Sequence, residues 1–139
     1  MTGLKLMLFE FPIRVYIEDT DIGGIVYYVN YLKFMERART ELLRANGLEQ
    51  QALKEQGYLF VVKSVACDYR ASAKLDDQLI VTVAVDKFAA ASVIFTQQVH
   101  SNKLLCSAQI EVVCVNAMNM KPTRFTPQIR DIFSSAHTS

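Results

Sequence analysis

At 139 residues the chain has the length of one ordinary domain, so a single core spanning 1–139 with no linker is expected. With 51% apolar and 21% charged residues it reads as globular, and a formal net charge of +1 gives no general pull toward nucleic acid or anionic membrane. Any anionic ligand must therefore be held by local charges. No apolar run approaches the ~20 residues of a membrane-spanning helix, so no membrane insertion is expected. The Leu4-to-Phe9 apolar stretch, interrupted by Glu10, lacks a small-residue cleavage site, which predicts a cytoplasmic protein. Cys67, Cys106 and Cys114 sit in strand-like apolar runs without paired spacing and read as buried, reduced thiols.

In chain order, Phe11 to Ile17 alternates and is rich in β-branched and aromatic residues, which predicts a strand. Glu18-Asp19-Thr20-Asp21-Ile22-Gly23-Gly24 then breaks the pattern with an acidic, glycine-bearing loop. From about Val29 the period becomes helical. Tyr28, Leu32, Met35, Ala38 and Leu42 fall on one side, flanked by Tyr31, Phe34 and Leu43, with Lys33, Arg37, Glu41 and Arg44 opposite. Asn46-Gly47 closes this long helix, and Glu49 to Gln56 forms a short second one before Gly57. Four long strands follow, over Tyr58 to Arg70, Gln78 to Phe88, Ser92 to His100 and Leu104 to Met118. Leu79, Val81, Val83 and Val85 share one face of the second of these, against Ile80, Thr82, Ala84 and Asp86. The connections are too short for parallel crossovers, so the sheet is antiparallel, and a last helical turn is expected near Ile129 to Phe133. The order β-α-β-β-β-β predicts a two-layer α+β domain in which a five-stranded antiparallel sheet wraps one long central helix.

Little of the usual catalytic inventory is present. His100 and His137 are far in sequence from any serine or cysteine in a nucleophile context; the first reads as a solvated turn neighbour and the second as tail. No spacing suits a metal, Asp19 and Asp21 alone are too few hard ligands, and Gly23-Gly24 lacks the partners of a phosphate loop. What remains is Glu18 to Tyr28, an acidic loop feeding into the start of the central helix. Free N–H groups at a helix start can donate to a substrate carbonyl and favour the oxyanion formed when it is attacked. A nearby carboxylate can attack, or activate water. Read from these residues alone, ordinary capping and turn chemistry outranks catalysis.

The loop and its surroundings resemble the 4-hydroxybenzoyl-CoA thioesterase family of hotdog proteins, most closely its branch of acyl-CoA thioesterases associated with the tol-pal system. The resemblance runs through Arg14-Val15-Tyr16-Ile17-Glu18-Asp19-Thr20-Asp21, Gly23 to Tyr31, Phe34 to Glu41, Leu75-Asp76-Asp77 and Met120-Lys121-Pro122. It implies a hotdog fold, paired subunits commonly assembled into tetramers, and an acyl-CoA pocket at the subunit interface; from the residue spacing no metal is expected, and no cofactor is expected. Asp21 matches the family's catalytic aspartate, and the backbone N–H of Tyr28 matches the group that polarises the thioester carbonyl. Gly24, Ile25 and Tyr31 are the neighbouring substrate-binding candidates, Tyr31 leaning to core and Tyr28 to pocket. Lys63 and Ser64, on the first strand after the helix, are candidates to reach the pocket from the partner subunit.

The sequence departs from this pattern at two places. Relatives of the branch often carry histidine where Tyr28 stands, and Ala89-Ala90-Ala91 replaces a basic cluster of the aromatic-CoA members. Contacts to the CoA phosphates then fall to Lys63, Lys87, Lys103 or Arg124, which are candidates by charge alone. Hydrolysis of a small acyl-CoA, short aliphatic or hydroxybenzoyl, is the leading expectation; a non-hydrolytic acyl-CoA or acyl-carrier-protein binding module is the alternative.

Overall fold

The computed structural model describes residues 8–137, so all but the last two residues of the Leu4-to-Phe9 stretch lie outside them. Strand β1 (Phe9–Arg14) leads through a short 3-10 turn (Ile17–Asp19) to the long helix α1 (Asn30–Ala45) and the short helix α2 (Gln50–Glu55). Strands β2 (Tyr58–Tyr69), β3 (Gln78–Phe88), β4 (Ser92–His100) and β5 (Leu104–Asn116) follow, and helix α3 (Pro127–Ser135) ends the described chain. All five strands form one antiparallel sheet in the order β1-β3-β4-β5-β2.

Helix α1 buries Tyr31, Phe34, Met35, Ala38, Leu42 and Leu43, a stripe at three- and four-residue spacing. It lies over β3 with β1 and β4 on either side. From the sheet it meets Leu79, Val81, Val83 and Val85 of β3, all fully buried, and Val93, Phe95 and Val99 of β4. Each such side chain contributes roughly 1.5–3 kcal/mol on leaving water. Gln97, also fully buried, donates from Nε2 to the carbonyls of Met35 (3.0 Å) and Thr82 (3.3 Å) and accepts from the Arg39 guanidinium (2.9 Å), so a polar strut ties helix to sheet inside the core. The helix ends where Gly47, at φ +81°, lets its own N–H reach Arg44 O and that of Leu48 reach Leu43 O.

Several expectations need correction. The buried stripe of α1 centres on Tyr31 and Phe34; Tyr28 precedes the helix and is 58% exposed, and Leu32 is half-buried. Strand β1 ends at Arg14 and not at Ile17, because the Asp19 carboxylate captures the Tyr16 N–H (2.9 Å) and turns the chain. Strand β5 stops at Asn116, whose Oδ1 accepts from Met118 N–H (2.8 Å). Cys106 and Cys114 are buried as free thiols, but Cys67 is half-buried on the exposed strand β2. His137 is no loose tail: its Nε2 lies 2.7 Å from Asp86 O, its ring meets Phe88, and Ala136 O accepts from Val85 N–H. His100 is half-buried, hydrogen-bonded to Gln98.

Strand β2 is the outer edge beside β5, and it is long. Among its twelve residues Val61, Val62, Val65 and Tyr69 are all substantially exposed, and the register slips by one residue between Val62 and Ser64. A long apolar edge is a template for another strand unless something covers it.

Phe34, fully buried at the centre of the helix–sheet contact, is the side chain whose loss should be felt most. Phe34→Ala is expected to lower unfolding free energy by about 3–5 kcal/mol, read as a lower urea midpoint at unchanged slope; a loss under about 1 kcal/mol would contradict the packing described.

Candidate active site

The segment between the 3-10 turn and α1 folds back on itself. Thr20 and Val26 form an antiparallel bridge, Asp21 N–H donates to Ile25 O (2.9 Å), and Gly24 N–H donates to Asp21 O (3.0 Å), closing a tight turn over 21–24. Gly24 takes φ +82°, a conformation that costs a side-chain-bearing residue roughly 1–2 kcal/mol. Gly23 donates its N–H to Asp21 Oδ1 (2.9 Å), and a β-carbon at Gly23 would stand 3.3 Å from that oxygen. The turn is pinned against the 71–77 segment by Val26 N–H to Ala73 O (2.8 Å) and by an Ile25–Lys74 bridge.

Asp21 therefore holds an exposed carboxylate with one oxygen engaged by its own turn; Oδ2 has no hydrogen-bond partner among the described residues. The other half of the site is the start of α1. No side chain caps this helix end, and the N–H groups of Tyr28 and Val29 donate to no acceptor among the described residues. Unclaimed amides at a helix start carry the positive end of its dipole and suit a developing oxyanion.

Asp21, Ile25, Tyr28 and Tyr31 line one cleft of ≈ 380 Å³, so four of the expected site residues come together. Gly24 shapes the turn without lining the cleft. Lys63 and Ser64 do not reach it within this chain; they sit at the slip in β2, where Lys63 is largely exposed and 3.9 Å from Glu111. Tyr31 is both core and wall: it is 2% exposed and its hydroxyl accepts from Ala73 N–H (2.9 Å), while burial raises its phenol above the ordinary value. None of Lys63, Lys87, Lys103 and Arg124 lines the cleft.

The far wall was not anticipated. Tyr69 and the following Arg70, Ala71 and Ser72 close the cleft opposite Asp21, with Tyr69 in ring contact with Tyr28 and Tyr31 at centroid distances of 5.8 Å each. Only strand register places the end of β2 beside the start of α1, and no local pattern carries that information. Arg70 supplies a cation on the cleft wall, its Nε donating to Asp68 (3.0 Å). No group of three or more histidine, cysteine or carboxylate side chains able to hold a metal converges among the described residues.

These features define a class. Residues 15–133 match the thioesterase-like superfamily, and the chain belongs to it. Within that class it is 47% identical over 127 residues to the acyl-CoA thioesterase YbgC of Haemophilus influenzae, covering 90% of this chain and 93% of that protein. It is 45% identical over 121 residues to the acyl-CoA thioester hydrolase YbgC of Escherichia coli O157:H7, covering 86% and 90%. Among solved structures, a probable thioesterase from Bartonella henselae superposes with a TM-score of 0.82 at 30% identity, over 86% of this chain and 99% of that one. A 1,4-dihydroxy-2-naphthoyl-CoA thioesterase from Synechocystis reaches a TM-score of 0.86 at 21% identity, over 91% and 96%, and shares the fold. The α+β architecture is the hotdog fold, as expected, and no helix among the described residues is long and apolar enough to cross a membrane.

The buried cysteines Cys106 and Cys114 offer no competing nucleophile. Burial, with Cys67 nearby, pushes the Cys106 thiol from 9.0 up to about 12, and burial pushes Cys114 up to about 11, so both stay protonated at neutral pH. Unfolding returns these groups to their ordinary value, so the stability they confer is complete below about pH 9 and is lost as pH rises toward 11 and 12. The urea midpoint should fall over that window, and less steeply in the Cys106→Ala/Cys114→Ala double variant; equal slopes would contradict the assignment.

Proposed function

We propose that the chain is an acyl-CoA thioesterase that hydrolyses a small acyl-CoA, short aliphatic or hydroxybenzoyl in type, to free acid and CoA. What supports this reading is that Asp21, whose Oδ2 is unclaimed, and Tyr28, whose N–H donates to no acceptor among the described residues, both line one cleft. The high identity to two relatives named as acyl-CoA thioesterases adds to it.

In this reading the thioester carbonyl oxygen accepts from Tyr28 N–H at the positive end of α1, which makes the carbonyl carbon electrophilic and stabilises the tetrahedral oxyanion. Asp21 Oδ2 then acts by one of two routes. As nucleophile it bonds to the carbonyl carbon, the C–S bond breaks with its electron pair leaving as CoA thiolate, and water hydrolyses the resulting anhydride. As general base it takes a proton from a water whose oxygen bonds to the same carbon, with the same leaving thiolate. Both need the carboxylate and the amide on the same carbonyl. The Gly23 N–H on Oδ1 fixes the carboxylate plane, and the tyrosines offer an apolar, aromatic lining for the acyl group.

The site is completed by a second copy in this account, as a homodimer or a tetramer built from dimers. The exposed, apolar, twelve-residue edge strand β2 supports antiparallel pairing with its equivalent. Such pairing brings the partner's Lys63 and Ser64, at the strand's irregularity, toward the cleft. Ile25 holds the near side of the substrate, with Gly24 shaping the turn behind it, and Arg70, the one cation lining the cleft among the described residues, is the candidate for the CoA phosphates. A cytoplasmic location belongs to the same reading, and the sequence motifs quoted above favour the tol-pal-associated branch.

CoA release from a panel of acyl-CoAs, followed with a thiol-reactive dye, tests the proposal. Wild type should turn over at least one substrate, and Asp21→Asn should lose about a hundredfold or more in kcat while keeping fold and oligomeric state. Turnover unaffected by Asp21→Asn would remove Asp21 from the mechanism, and no release from any acyl-CoA, with binding retained, would favour the binding module.

A further inference from the structure

Asp19 is 4% exposed, yet among the described residues it forms no ion pair. A carboxylate out of water needs partners for its oxygens, and here each oxygen has one. Oδ2 accepts from Tyr16 N–H (2.9 Å) and Oδ1 accepts from the side-chain amide of Asn30 (2.9 Å), the first residue of α1 and itself only 8% exposed. The backbone adds a third tie, since Asp19 O accepts from Tyr27 N–H (3.0 Å). Residue 19 is thus joined to Tyr16 just past the end of β1, to the returning limb of the loop, and to the helix start eleven residues ahead. Asp21 and the Tyr28 N–H both lie inside the segment so closed.

We infer that the Asp19–Asn30 hydrogen bond is a positioning device: it fixes the Asp21 turn relative to the unclaimed amides just before α1, and so sets the geometry between the Asp21 carboxylate and the carbonyl-polarising Tyr28 N–H. This rests on the thioesterase reading for its consequence in catalysis, but the clamp itself is a statement about the loop. Asp19 touches no substrate; it acts through Asp21 and Tyr28. An acceptor-only side chain suits the position because both of its neighbours are donors, and its negative charge lies beside the positive end of the helix.

Three variants separate positioning from general stability. Asn30→Ala removes the donor, Asp19→Asn removes one acceptor, and the double variant Asp19→Asn/Asn30→Asp rebuilds the contact with its polarity reversed. In the double variant the amide oxygen at position 19 still accepts from Tyr16 N–H, while its nitrogen donates to the new carboxylate at position 30. The expected result for each single variant is a kcat lower by about tenfold to a hundredfold with KM nearly unchanged, faster hydrogen exchange of the amides at 19–28, and recovery of both in the double variant. Asn30→Ala with wild-type kcat and wild-type loop protection would overturn the inference, as would a double variant no better than the worse single one. Asn30→Ala decides the matter if Asp19→Asn does not fold. If wild type itself releases no CoA, the thioesterase reading fails, and the exchange measurement alone still judges the clamp: unchanged loop exchange in Asn30→Ala would overturn it.

Discussion

Helix α1 makes its core contacts through one stripe, Tyr31 to Leu43, and that stripe must be covered along its whole length for the domain to exist. A sheet curved over the helix does this, and the choice dictates the rest. The helix is held against β3 by side chains on both sides and by the buried Gln97 strut, so its N-terminal end emerges at a fixed place, and just before it the N–H groups of Tyr28 and Val29 find no acceptor among the described residues. The chain reaches that end through the turn that carries Asp21. The reacting groups proposed here are thus both consequences of where the helix must begin, and the clamp at Asp19 joins them.

The same wrapping leaves one liability. Helix α1 covers β1, β3 and β4, and the short α2 packs against β2. The middle and end of β2 stay open, with Val62, Val65 and Tyr69 exposed. Tyr69 belongs equally to that open strand and to the cleft, so whatever covers the strand also borders the site. The exposed edge strand and the cleft thus share a residue, and a second copy paired along β2, as proposed above, would border the cleft.

Much of the fold was legible in the sequence where one rule operated alone. Gln78–Phe88 and Ser92–His100 match their expected bounds because each is a β-branched and aromatic run interrupted on both sides by a short connection. The bounds of β1 and β5 differ from the expected ones where a side chain competes with the ladder: Asp19 takes the Tyr16 N–H, and Asn116 takes that of Met118. The near half of the site, Asp21 to Tyr31, is contiguous and could be read as a unit. Its far half, Tyr69 to Ser72, is brought in by the pairing of β2 with β5, a long-range fact that no window of sequence contains. Asp19 was seen only as one acidic residue of a loop; its burial distinguishes it from Asp21, and burial is a property of the folded chain.

The most direct measurement is a crystal structure of the protein with an acyl-CoA analogue in which a methylene group replaces the thioester sulfur, leaving a ketone that cannot be hydrolysed. The account predicts the ketone oxygen within hydrogen-bond distance of Tyr28 N–H, the Asp21 Oδ2 facing the carbonyl carbon, and the acyl group against Tyr28, Tyr31 and Tyr69. A carbonyl bound away from the start of α1, or an Asp21 carboxylate turned from it with both oxygens engaged by the loop, would contradict the account.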